Sequence, residues 1–208
     1  MDAYLASLRL DVAQEVIDRI GKAVAAADRA LTRAGRNMPA PRWRIAVLDD
    51  RAESGFPHTH GDIVCMPLSF MAPSFDERKL VRTLVHERVH VLQRAHPEVF
   101  FDDIAGSSTG RVAISSLGSK ADVTLRRRSN PDLDRYIYVD ADTGLATAML
   151  FDGEREAAEG GLGAARAVWI EPMTGKRVDG QPANPAYEHP YERFAYEIAE
   201  LAVPSIGR

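Results

Sequence analysis

The stretch that decides the fold is Thr83-Leu84-Val85-His86-Glu87-Arg88-Val89-His90-Val91-Leu92. Apolar residues recur through it at helical spacing, which predicts a helix over about 75–95 with Ser74 as its N-cap. Four residues along an α-helix correspond to roughly 40° of net rotation and ~6 Å of rise. The two histidines therefore share one face of the helix, and their imidazoles can converge on one ion.

The spacing His-Glu-x-x-His also specifies a chemistry. Imidazole is a zinc ligand, and Glu87 lies beside the pair, where it can hold the water that the ion polarises and accept its proton. Chance produces this pattern in about one chain of this size in a hundred. The competing interpretation is a surface helix with two solvated histidines. Val85 and Val89 argue against it, because they favour an enclosed motif and enclosed imidazoles need partners.

A hydrolytic zinc site needs three protein ligands and one open position, so the motif requires a third ligand from elsewhere. His96 lies ten residues after His86, which is the metzincin spacing. Gln93, however, occupies the position where that pattern has a helix-breaking glycine. If the helix continues, His96 lies ~9 Å further along the axis than His90 and is rotated off the face.

A second candidate for the third ligand lies on the C-terminal helix predicted over 190–202, which opens with a proline. Glu192 shares a helical face with Ala195, Tyr196 and Ala199, and the small residues allow close approach to the zinc helix. Glu197 points roughly 140° away from Glu192, towards solvent. Glu188 precedes the helix and is the weaker alternative. We therefore select Glu192.

His58 and His60 form the third candidate. If residues 58–60 are extended, both imidazoles project from one face and can chelate a metal. The interpretation favoured over ligation is a polar loop, although contact with a substrate remains open to either histidine. Four side chains near Glu192 are candidate donors to an oxyanion: Tyr187, His189, Tyr191 and Tyr196. The alternative is that a tyrosine at such a place only packs against its neighbours.

Composition limits the classes of function. Of the 208 residues, 45% are hydrophobic and 27% charged, as in a soluble globular protein, which excludes a disordered chain. A net charge of -4 gives no reason to expect nucleic-acid binding, and Arg126-Arg127-Arg128 is too short to reverse that. The single cysteine, Cys65, cannot form an internal disulfide. No apolar run suits a membrane span or a signal peptide, so we expect no membrane association and a cytoplasmic location.

Hydrophobic patterning and turn residues predict the remaining elements. They are a helix or helical pair over 3–34, a strand over 43–48, a loop over 51–61, a strand over 62–66, an irregular stretch over 98–133, a hairpin over 135–151, and a second hairpin pairing 167–170 with a strand after Thr174-Gly175.

Three segments carry a resemblance to a known family of proteins. They are Gly55-Phe56-Pro57-His58-Thr59-His60-Gly61-Asp62, the stretch from Leu84 to Arg94, and Glu188-His189-Pro190-Tyr191-Glu192. A fourth segment, Asn130-Pro131-Asp132-Leu133-Asp134-Arg135-Tyr136-Ile137-Tyr138, is also similar. The chain resembles the gluzincin branch of HExxH zinc metallopeptidases. More narrowly, it resembles a largely uncharacterised group of predicted zinc metallopeptidases from bacteria and large DNA viruses.

The resemblance implies an α+β zincin-like fold in a single catalytic domain, 1–208. Its parts would be an N-terminal helical segment (1–38), a small twisted sheet with the zinc helix (43–97), and a C-terminal subdomain with the third ligand (98–208). The strand over 62–66 would be the edge strand above the cleft. One departure is that Ala195 and Tyr196 stand where gluzincins place an acid. The partner that orients the histidines is therefore undefined, with Asp132 and Asp134 as guesses.

The expected function is that of a hydrolase, a zinc-dependent protease of peptide or protein substrates. Zn2+ held by His86, His90 and Glu192 would activate a water, with Glu87 as general base. The alternative is a non-catalytic zinc-binding structural or interaction module that uses the same ligands. The sequence leaves the oligomeric state open.

Overall fold

The computed structural model describes residues 6–35, 41–100, 108–127, 135–152, 165–180 and 189–204. The chain divides into two compact units, one comprising Met1–Pro97 with Ala195–Arg208 and the other Glu98–Phe194. Both contain helix and sheet, so the chain is of the α+β class. Within the described ranges, no helix combines the length and apolarity needed to cross a membrane.

The first unit contains a three-stranded sheet, with strands β1 (Arg44–Leu48), β2 (His58–His60) and β3 (Ile63–Pro67). The strand order is β1-β3-β2, with β1 parallel and β2 antiparallel to β3. The strands predicted over 43–48 and 62–66 are thus confirmed to within a residue or two.

Two predictions about this sheet were wrong. Residues 58–60 form a strand rather than part of a loop, and β3 is the central strand rather than the edge strand. A nearly unbroken apolar run such as that of β3 is typical of a strand covered on both faces, as a central strand is. Among the described residues, β1 and β2 are the two terminal strands of this sheet. The polar residues of β2 give no alternating apolar pattern from which the sequence could predict a strand.

The helix that carries the two histidines, α2, runs over Glu77–Ala95 and ends where Pro97 predicts. Its start differs from the prediction, because Asp76 rather than Ser74 is the N-cap. The Asp76 carboxylate accepts a 2.8 Å hydrogen bond from the Lys79 amide. At the other end, Arg94 donates through Nε to the Gly61 carbonyl at 2.9 Å and through its terminal nitrogen to the Thr59 hydroxyl. These bonds tie the helix to the edge strand β2.

Before the sheet lies helix α1 (Gln14–Arg33), which turns its alanine-rich side inwards and ends before Gly35, whose φ of +71° suits a helix terminus. The helical prediction over 3–34 holds for this part. Residues ahead of α1 instead run along β1: Arg9 donates to the Val47 carbonyl at 2.9 Å, and Asp49 donates to the Ser7 carbonyl at 2.8 Å. Residues 1–5 lie outside the described ranges.

The second unit contains an antiparallel sheet of five strands in sequence order. They are β4 (Ser108–Ala113), β5 (Tyr136–Asp140), β6 (Ala146–Leu150), β7 (Arg166–Ile170) and β8 (Arg177–Val178). Both predicted hairpins are confirmed by the β5–β6 and β7–β8 pairings. The prediction of an irregular stretch over 98–133 was wrong, because it holds β4 and a short helix, α3 (Asp122–Arg126). Apolar side chains of α3 and of the sheet form one buried cluster.

Helix α4 spans Pro190–Ala202, as predicted. It is one continuous helix whose residues from Ala195 onwards belong to the first unit, together with α2. Its buried side includes Ala195, Ile198 and Ala199, which are all under 5% exposed. Glu197 lies on the exposed side, as the helical geometry predicts.

Removal of the Asp76 cap is expected to destabilise the protein, because it leaves the Lys79 amide without its side-chain acceptor. We expect Asp76→Ala to lower the free energy of unfolding by about 1 kcal/mol in urea denaturation. Ser74→Ala is the matched control and should change it by less than about 0.5 kcal/mol. The reverse order of the two variants would contradict this assignment of the cap.

The turn between β5 and β6 predicts a pH-dependent contribution to stability. The Asp140 carboxylate accepts hydrogen bonds from the Thr143 amide (2.9 Å), the Thr143 hydroxyl (2.9 Å) and the Asp142 amide (3.1 Å). The Thr143 amide is the main reason that the pKa of Asp140 lies below its usual value. A lowered pKa in the folded state means that the stabilisation is complete above the unfolded-state pKa and is lost as pH falls through the folded-state pKa.

Asp140→Asn is accordingly expected to be less stable than the natural chain at pH 6, with the difference shrinking as pH falls towards 2. Thermal unfolding across that pH range measures it. A difference that stays constant with pH would show that the charge of Asp140 plays no part.

Candidate metal centre

The imidazoles of His86 and His90 converge as the motif predicts. Their Nε2 atoms lie 3.1 Å apart, and the rings meet nearly at right angles, with centroids 4.7 Å apart and an interplanar angle of 81°. Two nitrogens bound to one tetrahedral zinc at about 2.0–2.1 Å are separated by roughly 3.3 Å. The two nitrogens are therefore spaced as a shared metal ion requires.

Glu192 completes a group of three. Ligand atoms of His86, His90 and Glu192 all lie within 4.8 Å of one another. His90 is fully buried and Glu192 is 9% exposed, whereas His86 is half-buried. Glu192 lies in the first turn of α4, where the helix dipole favours a negative charge.

The approach of α4 to α2 rests on contacts other than Glu192. The Tyr196 ring lies one turn further along α4 and packs on His86, with centroids 4.4 Å apart. Arg82 pairs with Glu200 at 3.2 Å, and Arg78 donates through Nε to the Pro204 carbonyl at 3.0 Å. Three points along α4 and the residues after it therefore hold it against the histidine helix.

The start of α4 is capped by His189. The Tyr191 amide donates to Nδ1 of His189 at 3.1 Å, so this nitrogen is an acceptor and a neutral ring carries its proton on Nε2. The ring is buried and meets Tyr138 and Tyr191 edge-on, with centroids 4.5 and 4.8 Å away. The sequence predicts Pro190 as the first helical residue, whereas it suggests His189 only as a candidate oxyanion donor or substrate contact.

Gln93 is a functional candidate that sequence reasoning missed. Its Oε1 lies 2.9 Å from Nδ1 of His90, and its side chain is 2% exposed. From the sequence alone, Gln93 is only a helix former at the metzincin glycine position. The available clue was its place three residues after His90, where side chains on one helix meet.

Glu87 and Arg88 are both buried in the same helical turn, at 4% and 3% exposure. The Arg88 guanidinium lies over the Trp43 ring, 4.5 Å from its centroid, and donates to the Pro41 carbonyl. Burial lowers the pKa of Arg88 below its ordinary value. These contacts anchor the histidine helix to the residues that lead into β1.

The other predicted site residues take different positions. His96 is the C-cap of α2 and does not belong to the described three-residue group, so the geometric objection to it as a ligand stands. His58 is buried, with Nδ1 3.0 Å from the Phe56 carbonyl, and His60 is exposed. Neither joins the group within the described ranges. Tyr187, Glu188, Asp132 and Asp134 lie outside the described residues.

The residues present fit a zinc-type ion. Two imidazole nitrogens and one carboxylate oxygen form the donor set found in catalytic zinc sites, and the nitrogen spacing matches tetrahedral binding. The bond to Gln93 also directs Nε2 of His90, rather than Nδ1, towards the other ligands. Since related metals accept the same donors, this donor set indicates a divalent ion of the zinc type.

No protein-family model, curated protein or solved structure matches this chain. The function is therefore inferred from the geometry of the site itself.

The grouping predicts which residues hold the metal. Glu192→Ala is expected to lose at least tenfold in zinc affinity, because the ion keeps only two protein ligands. His96→Ala and Glu197→Ala, whose side chains stand outside the group, should retain the affinity of the natural chain. Competition with a chromophoric chelator measures all three. A loss for His96→Ala with none for Glu192→Ala would overturn the assignment.

Proposed function

We propose that this protein is a zinc-dependent metallopeptidase, a hydrolase that cleaves peptide bonds in peptide or protein substrates. The observation that carries the proposal is the convergence of His86, His90 and Glu192, with ligand atoms within 4.8 Å of one another. The five-residue motif accounts for two of these ligands. The third comes from more than a hundred residues further along the chain.

The number and kind of donors favour catalysis over a purely structural role. Structural zinc sites are usually closed by four protein ligands, whereas catalytic sites have three and keep one position open. Among the described residues the group has three members. A zinc ion bound there would supply an acidified water and an electrophile that polarises a carbonyl.

Glu87 is proposed as the general base. It directly follows His86, and its side chain is enclosed at 4% exposure, where interactions between charges are stronger than in bulk water. Its carboxylate takes a proton from the attacking water and returns it to the departing amine, so that the leaving group departs neutral. Helix α2 fixes the side chain in the same turn as the two imidazoles.

The exposure of the group supports access by a substrate. His86 is half-buried, and the Tyr196 ring packed on it is 49% exposed, whereas His90 is fully buried. Solvent and substrate can therefore reach the site from the side of His86 and Tyr196. A tyrosine hydroxyl at such a place can also donate to a developing oxyanion.

An extended peptide substrate can be held by main-chain hydrogen bonds to a strand near the site. Among the described residues, β2 is a terminal strand of its sheet, and Arg94 ties it to the ligand-bearing helix. An extended peptide can therefore pair with β2. His60, exposed on β2, is placed to contact it, which retains the substrate role proposed for this histidine.

The test of the proposal is Glu87→Gln, which keeps the size of the side chain and removes the base. We expect zinc content to stay unchanged and turnover of a fluorogenic peptide library to fall about 10²–10⁴-fold. Glu77→Gln, at the exposed start of the same helix, is the matched control and should retain activity.

Two outcomes would contradict the proposal. Retained activity in Glu87→Gln would remove the mechanism. If the natural chain binds zinc and loses thermal stability on chelation, yet cleaves no member of the library, the non-catalytic zinc module becomes the better interpretation.

A further inference from the structure

Gln93 makes a contact that the proposed reaction does not use. It lies three residues after His90 on α2, and its Oε1 is 2.9 Å from Nδ1 of the fully buried His90 ring. The Gln93 side chain is itself 2% exposed, so water does not compete for the contact. Because an amide oxygen only accepts hydrogen bonds, this placement of Oε1 assigns the proton to Nδ1 of His90.

This bond has two consequences for the ring. A neutral imidazole that is protonated at Nδ1 has its lone pair on Nε2, which is the atom that faces Nε2 of His86 at 3.1 Å. A half-turn of the ring about Cβ–Cγ would exchange Nδ1 with a carbon and lose the bond to Gln93. The same half-turn would place a carbon where Nε2 now faces the group. The contact therefore selects both the tautomer and the orientation that suit metal binding.

We propose that Gln93 is a positioning residue that fixes His90 as a metal ligand, so that the functional motif extends to His86-Glu87-x-x-His90-x-x-Gln93. This inference rests on the proposed function insofar as His90 binds the metal. It adds a residue that works through the imidazole and does not touch the ion. Outer partners of this kind commonly contribute 10–100-fold to metal affinity.

The position of Gln93 distinguishes this arrangement from one in which a distant acid orients the ligand. His90 and Gln93 lie three residues apart on a single helix, about 4.5 Å along its axis. The contact that assigns the tautomer of His90 therefore lies within one helix and needs no residue from another element.

The test compares Gln93→Met with Gln93→Glu in the full-length protein. Methionine keeps the length and burial of the side chain but offers no comparable acceptor, so zinc affinity in a chelator competition should fall about 10–100-fold. Glutamate restores an acceptor, and its affinity should stay within a few-fold of the natural chain or exceed it. Leu92→Met, a buried substitution of conserved volume in the same turn, controls for packing and should leave the affinity unchanged.

A second measurement needs no variant. Nitrogen-15 spectra of the metal-free natural chain report which ring nitrogen of His90 carries the proton, and we expect Nδ1. Protonation at Nε2 would overturn the proposal, because Gln93 would then be turned round and donating. This readout holds even if Gln93→Met does not fold.

The outcomes separate this proposal from the proposed function. Equal zinc affinity in the natural chain and a folded Gln93→Met overturns the role of Gln93 and leaves the peptidase proposal standing. A tight zinc complex that depends on Gln93 but shows no peptidase activity supports the role of Gln93 and overturns the peptidase. Absence of zinc binding in the natural chain overturns both.

Discussion

The candidate site depends on one constraint: two imidazoles a single helical turn apart on α2, of which His90 is fully buried and His86 half-buried. A buried imidazole needs partners for both of its nitrogens. For His90 these are Gln93 on one side and His86 on the other, both on α2. The pair is therefore built by one element, and the sheet, the arginine anchors and α4 serve to place that element and to bring a carboxylate to it.

The carboxylate is supplied by a helix whose composition suits the task. Ala195 and Ala199 are buried on the side of α4 that also carries Glu192. Alanine at these positions avoids bulk on that side, and Tyr196 adds a ring contact with His86. The His189 cap and Pro190 fix where the helix starts, and hence the turn in which Glu192 lies.

The sequence was most informative where one residue pattern determines one geometry. Helical periodicity predicts that the two histidines share a face and that Glu192 and Glu197 point in different directions. Proline chemistry predicts that α2 ends before Pro97 and that Pro190 opens the C-terminal helix. The same periodicity favoured Glu192 over His96 as the third metal ligand. Both hairpins of the second sheet follow from strand-forming residues that flank a turn.

The features that the sequence did not predict are those that depend on tertiary contacts. β2 has three residues and no apolar alternation, so only its pairing with β3 makes it a strand. This error also led to β3, the more strand-like segment, being assigned to the edge. Ser74 and Asp76 are both good capping residues, and the path of the backbone selects the second. Gln93 is an ordinary helix former by propensity, and only its contact with His90 distinguishes it.

The bonds of Arg94 to β2 have a mechanical consequence. Arg94 lies one turn beyond His90 on the same helix and donates to the hydroxyl of Thr59, in the middle of the strand, and to the carbonyl of Gly61, just past its end. A shift of β2 along its own axis would therefore break these hydrogen bonds or require the guanidinium to move with the strand. Arg94 therefore contributes to fixing the distance between β2 and the two imidazoles on α2.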